Sequence, residues 1–456
     1  MINMSSQRFL KQALPLFILL LIFAAYLPCL KADFVNWDDD VHILGNLTLR
    51  SLRWENWAEI WTSTINHTYI PLTVITWAIE QHFFGYNSFV FHLDNILLHL
   101  AVTVLVIVFS KRMGLSSMAA GLAGLLFGVH PIHVESVAWA TERKDVLYVF
   151  FYMMAILVYL RYLDTTRRKY FCLTVLLGMI SICAKPMAVS LPLVLLILDW
   201  FRRREWTLRI LTEKIFCGAF LIPIAFFTYA INSHLMEPAT GKGLFIWIWC
   251  FMFYLYKFLY PWPLILFYGF PQSGNIFYLN ILLFSGLLAT LWVFRRNRLF
   301  VFAMAFYFVN IFFLLRFHSF LSLVSDRFMY LPSVGLCMFA AALVEKMFFW
   351  TQERRLYSHG FKIVLCSCIV IMAVMTWRQC EVWQTSVKLW SHQLKYDSKV
   401  ATWLAYYKLA NAYAANEHGA PTVSKFDQIS LLYQKAIHLK PDFSNSYLGR
   451  NLGTHT

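Results

Sequence analysis

Three adjacent carboxylates, Asp38, Asp39 and Asp40, follow Asn36 and Trp37 a few residues past an apolar run. Charges this close repel one another, which raises at least one pKa and suits a general base or a metal site. A solvated or headgroup-contacting turn accounts for a bare acidic triplet equally well. A second group is His130-Pro131-Ile132-His133-Val134-Glu135, followed by Glu142-Arg143-Lys144-Asp145. Charges at the mouth of a helical hairpin are costly near a membrane unless they face a polar cavity or each other. His130 and His133 with Asp40 could take a divalent cation, but the spacing is no zinc signature and metal is the weaker reading. Arg143 and Lys144 suit phosphate better, because a guanidinium matches phosphate geometry; an ion-paired turn is the structural alternative. Asp326-Arg327 precedes Tyr330-Leu331-Pro332, and Lys185-Pro186 sits in a tight turn. Each is weak alone, since a lone Arg at a helix end usually snorkels. His92, Asn95 and His99 share one helix face and read as bonds between helices. Asp199, beside Arg202 and Arg203, reads as structural.

The elements that must position these groups are membrane helices. The chain has 456 residues, 59% of them hydrophobic, with a mean hydropathy of +0.58. That excess over a soluble protein needs another solvent for its surface. The net charge of +15 lies in short clusters between apolar runs, which points to positive-inside topology and away from nucleic acid. Apolar runs long enough or nearly so to cross a bilayer are 12–30, 88–110, 115–131, 145–163, 170–184, 186–201, 214–232, 277–294, 299–316, 328–350 and 362–377. No small-residue cleavage site stands out after the first, so it reads as a retained helix. Segment 244–270, broken by Pro261, Pro263 and Gly269, reads as re-entrant or interfacial. With the N-terminus in the cytoplasm, the inside loops hold about twice the Lys and Arg of the outside ones. Eleven crossings then put the C-terminus outside. The first outer loop, 31–87, holds the acidic triplet, and 69–84 reads as an amphipathic helix lying on the membrane. Nine cysteines form no framework; Cys29, Cys183 and Cys380 fall near the outer surface. Past 378 the composition turns soluble. Tyr406, Leu409, Ala410, Tyr413, Tyr433, Ala436 and Pro441 follow a tetratricopeptide pattern, and a second repeat begins at Ser444.

Acids and bases thus gather on the outer face at headgroup level. That arrangement suits a lipid-linked phosphate donor, with an Asp activating the acceptor. No Walker motif or dinucleotide fingerprint is present.

The stretches FVNWDDDVHILGN, FHLDNILLHL, HPIHVESVAWATERKDVL, AKPMAVSLPLVLLILDW and SDRFMYLPSVGL, with Trp383 and Trp390 before the repeat, resemble the transmembrane tetratricopeptide O-mannosyltransferases. The likeness is to their bacterial-type relatives, within the GT-C glycosyltransferases, and spans nearly the whole chain in order. It implies an all-α polytopic membrane fold: a catalytic domain over 1–377 and an extracytoplasmic linker with the repeat over 378–456. It implies Asp38 or Asp39 as general base and Arg143 and Arg327 on the donor phosphate. Lys185 and Lys144 are further phosphate candidates, and His130, His133, Glu135, Asp326 and Tyr330 support the site. Two departures stand out: Ile70 replaces an Arg or His of the relatives, and there is one repeat plus a fragment.

The expected function is inverting transfer of mannose or another hexose from polyprenyl phosphate to Ser or Thr of exported proteins. No cofactor is required, and the setting is a bacterial inner membrane with the site outside. The expected partners are membrane lipids, the lipid-linked donor, and an acceptor or assembly partner at the repeat. Transfer to a lipid or polysaccharide, or transport of a lipid-linked sugar, are the alternatives; a transporter would carry its ionisable residues at the bilayer midplane.

Overall fold

The computed structural model describes residues 4–66, 68–232, 243–269, 274–313, 323–353, 355–396, 402–415 and 423–442. Among these the chain is helical, with one isolated bridge between Ile65 and Thr68 and no strand. Apolar runs in a bilayer must satisfy every backbone group internally, and the helix does so within one segment. Six helices are long and apolar enough to cross: Ser88–Arg112, Ala140–Thr165, Leu208–Ile231, Gly274–Val293, Ser333–Glu353 and Ser358–Val382. Ser117–Gly128 and Pro131–Ala138, bent by 52°, make a seventh. Pro131 forces the break because its ring removes an amide donor; the His130 imidazole accepts the freed Ile132 N–H at 3.3 Å.

The apolar helices Pro15–Lys31, Pro186–Phe201, Gly243–Leu259 and Arg298–Phe312 are shorter. The eleven runs expected as spans fall on helical elements wherever they are described, but only six or seven meet the crossing length. Segment 244–270 forms the helix Gly243–Leu259 and then runs irregularly past Pro261 and Pro263. The expected helix in the first outer loop is Pro71–Phe84. The second repeat from Ser444 lies outside the described residues.

The central helices make one core. Arg143–Thr165 and Arg168–Ala184 form a hairpin whose turn puts Thr166 in the left-handed region at φ 55°. Gly335 brings Ser333–Glu353 against Arg298–Phe312: a Cβ there would lie 3.0 Å from the Ala303 carbonyl oxygen. At the rim, Gly274–Val293 buries none of its residues, as a lipid-facing helix should.

Asp199 anchors a second ion cluster, with Lys214 at 2.5 Å and Arg204 at 3.3 Å, and it accepts the Tyr159 hydroxyl. Tyr159 lies about 24 Å along its helix from Arg143 at 1.5 Å per residue. That cluster is remote from Arg143 and the acidic loop.

Candidate active site

After the first helix the chain makes a 3-10 turn, Leu27–Lys31, and then winds into a wide turn, Asp40–Leu44. The Asp38 carbonyl accepts the His42 N–H at 2.8 Å, so the acidic stretch is a helical turn and its carboxylates do not alternate as on a strand. Each meets a different environment.

Asp39 is fully buried. Its Oδ2 accepts the Val35 N–H and its Oδ1 the Thr141 N–H, both at 2.9 Å, and Oδ1 also takes the Thr141 hydroxyl. Burial pushes its pKa up to about 7 although these donors oppose the rise. Asp39 thereby braces the loop against the turn Ala140–Glu142. Asp40 lies outward, bonded to the Val41 N–H and 3.5 Å from the Lys408 ammonium. Asp38 is half-buried and lies within the electrostatic reach of Lys144, Arg327 and Lys408. Burial lifts its pKa above the usual carboxylate range, while Lys144 and Arg327 pull it down.

Those cations belong to a buried network centred on Glu142. Its carboxylate meets Lys144 at 3.2 Å, Lys185 at 3.0 Å and Arg327 at 3.4 Å. Lys185 also reaches Asp145 at 2.5 Å, and the Ser136 hydroxyl donates to Asp145 at 3.0 Å. Arg327 grips Glu135 twice, through Nη1 at 2.5 Å and its backbone N–H at 3.0 Å. Lys144 and Arg327 both lie over the Trp139 ring, at 5.8 and 5.6 Å. Asp326 is buried, accepts the Tyr268 hydroxyl at 2.8 Å, and has its pKa raised by burial and then by Glu135. Charges so concentrated are tolerated because each has a partner.

Arg143 stands apart from that network. Its side chain is 1% exposed and every guanidinium nitrogen is taken: Nη1 by Glu80, Nε by Asn95 at 2.6 Å, Nη2 by the Phe91 carbonyl at 2.7 Å. It locks the helix Pro71–Phe84 to the core. Its neighbour Lys144 instead meets Glu142 and the Trp139 ring.

The histidines are positioning groups. His130 bonds the Phe258 carbonyl through Nε2 at 2.9 Å. His133 meets the Phe127 carbonyl at 2.7 Å and Ser333 at 2.9 Å. With these nitrogens engaged and Asp40 facing Lys408, the alternative metal set Asp40, His130 and His133 is not assembled. Among the described residues no group of three or more His, Cys, Asp or Glu side chains is placed to hold a metal ion. Tyr330 is buried and bonds His99 at 2.7 Å, which ties two helices beneath Arg327.

Four contributors carried no signal in the sequence reading: Glu80, Thr141, Lys408 and His42. Glu80 has its pKa pushed to about 8 by burial against the pull of Arg143. His42 bonds the Asp38 carbonyl through Nδ1 at 3.2 Å, and burial lowers its pKa to about 3.

A cavity of about 500 Å³ opens between the last long helix and the 261–264 stretch, with Pro131 in its lining. Its walls are Trp262, Leu264, Val370, Ile371 and Val374, with Arg378 and Lys395 at the rim.

No family model matches the chain. It is 33% identical to the protein O-mannosyl-transferase TMTC1 of Mus musculus over 192 residues, which is 38% of this chain and 20% of that protein. It is 34% identical to TMTC2 of Homo sapiens over 150 residues, 31% of this chain and 18% of that protein. The chain therefore matches about a fifth of the length of these curated relatives. Among solved structures, the Archaeoglobus fulgidus oligosaccharyltransferase tethered to an acceptor peptide aligns with a TM-score of 0.50 at 12% identity, covering 92% of this chain and 59% of that one. That likeness concerns the fold alone: an all-α, polytopic arrangement of membrane helices. The sequence resemblance to the O-mannosyltransferases is real and partial.

Proposed function

We propose that this chain is an inverting glycosyltransferase that moves a hexose, mannose by resemblance, from polyprenyl phosphate to a Ser or Thr hydroxyl of an exported protein. The acceptor oxygen attacks the anomeric carbon, the bond from that carbon to the phosphate oxygen breaks, and Asp38 takes the hydroxyl proton. Arg327, Lys144 and Lys185 hold the departing phosphate, where fixed cations in a water-poor site act strongly. The lipid tail lies in the apolar cavity beside Trp262 and Val370. The observation that carries the reading is the placement of Asp38: half-buried, and within the electrostatic reach of Lys144 and Arg327, while Asp39 and Arg143 are locked in the structure. The similarity to named O-mannosyltransferases supports the reaction class.

No resident metal or cofactor is assigned, since the nearby histidine nitrogens serve backbone carbonyls and Ser333. Transfer to a lipid or polysaccharide would use the same groups. Transport is disfavoured because the charges cluster at helix ends and not at mid-helix. The site and the C-terminal segment are placed outside the cytoplasm on the Lys/Arg asymmetry.

The deciding experiment is Asp38→Asn, assayed with mannosyl-phosphoryl polyprenol and a Ser/Thr peptide. Loss of the proton acceptor should lower turnover by about a hundredfold or more with donor binding retained. Near-normal turnover would remove this reading.

A further inference from the structure

The acidic loop is held by a part of the chain 372 residues away. Asn36 gives three of its polar groups to C-terminal helices. Its N–H donates to the Ser386 hydroxyl at 2.8 Å, its Nδ2 to the Lys408 carbonyl at 2.9 Å, and its Oδ1 accepts the Trp390 indole N–H at 2.7 Å. Trp37 stands edge-on to Trp390 and Phe267, with ring centroids 5.6 and 5.4 Å apart. The Lys408 ammonium lies 5.7 Å from the Trp37 ring centre and 3.5 Å from Asp40. Lys408 sits on Thr402–Ala415, which the Tyr433 hydroxyl ties to Val423–Leu439 through Asn411 at 2.8 Å.

We propose that the C-terminal helical segment is a working part of the catalytic site, with Lys408 and the Asn36 clamp positioning the loop that presents Asp38. Lys408 is a positioning residue: it holds Trp37 and Asp40 on either side of Asp38 and adds positive charge nearby. The proposal rests on the reading of Asp38 as base. The charged and titratable groups around Asp38 are Lys144 and Glu142, Arg327, Lys408, and on its own turn Asp39, Asp40 and His42. Removing the Lys408 charge leaves the ionised Asp38 with fewer opposing cations, so Asp38 should bind its proton more tightly.

The test uses the full chain in detergent or nanodiscs and three variants, Lys408→Met, Lys408→Arg and Asn36→Ala. Hydrogen exchange is read in peptides over 34–45, whose Val41 and His42 amides bond the Asp38 carbonyl. Lys408→Met and Asn36→Ala should speed exchange there about fivefold or more, with helix Arg143–Thr165 unchanged. In the transfer assay Lys408→Met should move the acidic limb of the pH profile to higher pH, and Lys408→Arg should restore both readouts. Unchanged exchange over 34–45 in both variants overturns the clamp, and a uniform rise along the chain reduces it to a general strut and overturns it too. If Asp38→Asn keeps its turnover, the base reading fails by itself, while the exchange measurement still decides whether the clamp exists.

Discussion

Neighbouring residues of one type were assigned different work by their surroundings. Asp38, Asp39 and Asp40 share a turn, yet one lies within reach of cations, one braces the fold and one meets the C-terminal segment. The consequences are separable. Asp39→Ala strips the acceptor from the buried Val35 and Thr141 amides, and each stranded donor costs about 1–3 kcal/mol. A melting experiment in detergent should show that loss, whereas Asp38→Asn should melt near the wild type. Asp38 sits above the usual carboxylate range because of burial, and a base works only when ionised. Turnover should therefore fall as pH drops through that raised pKa, and Lys144→Met should move the limb higher still. Arg143→Ala should unfold more than it slows: it strips the donors from the buried Glu80 and Asn95 oxygens, at about 1–3 kcal/mol each. Pairing it with Glu80→Gln should recover part of the melting temperature, and recovery absent in that double variant would contradict the lock.

At the scale of elements, apolar runs and prolines carried most of the legible information. The helices fall where the runs are, the break at Pro131 falls where a proline removes an amide, and Pro71 opens the helix of the first outer loop. Length was less legible, since the apolar helices near the site are short and pack on one another. Close approach was not legible at all. Gly335 reads as an ordinary small residue until the backbone of Ala303 is found 3.1 Å from where its Cβ would be. Gly335→Leu should push these two helices apart, at about 1–3 kcal/mol for overpacking, and carry Arg327 with them. A lowered melting temperature with weakened donor binding is the expected pair of results; Leu tolerated on both measures would show that the contact can relax.

For the whole molecule, charge asymmetry across the helix ends predicts the orientation. Reporter fusions after Arg204 and Arg298 should read as cytoplasmic and a fusion after Lys395 as external. A cytoplasmic signal at Lys395 would separate the C-terminal segment from an external site. Chelation offers another check at this scale. Turnover should survive exhaustive EDTA, since His130 and His133 serve Phe258, Phe127 and Ser333. Activity lost to the chelator and restored by magnesium or manganese would reopen the metal reading.

The sequence by itself determined the all-α membrane class, the acidic loop beyond the first helix, the two motifs that supply Glu135, Glu142, Lys144 and Arg327, and the resemblance to a transferase family. These are local properties: hydropathy over about 20 residues sets a span, and a short motif survives intact in the chain order. Tertiary structure alone decided that Asp39 is the buried one of the three, that Arg143 pairs with Glu80, and that Lys408 leans on the acidic loop. Those outcomes depend on pairs 63, 102 and 372 residues apart. A charge in a low-dielectric interior takes whichever partner the packing brings within reach, and no periodicity along the chain records that choice.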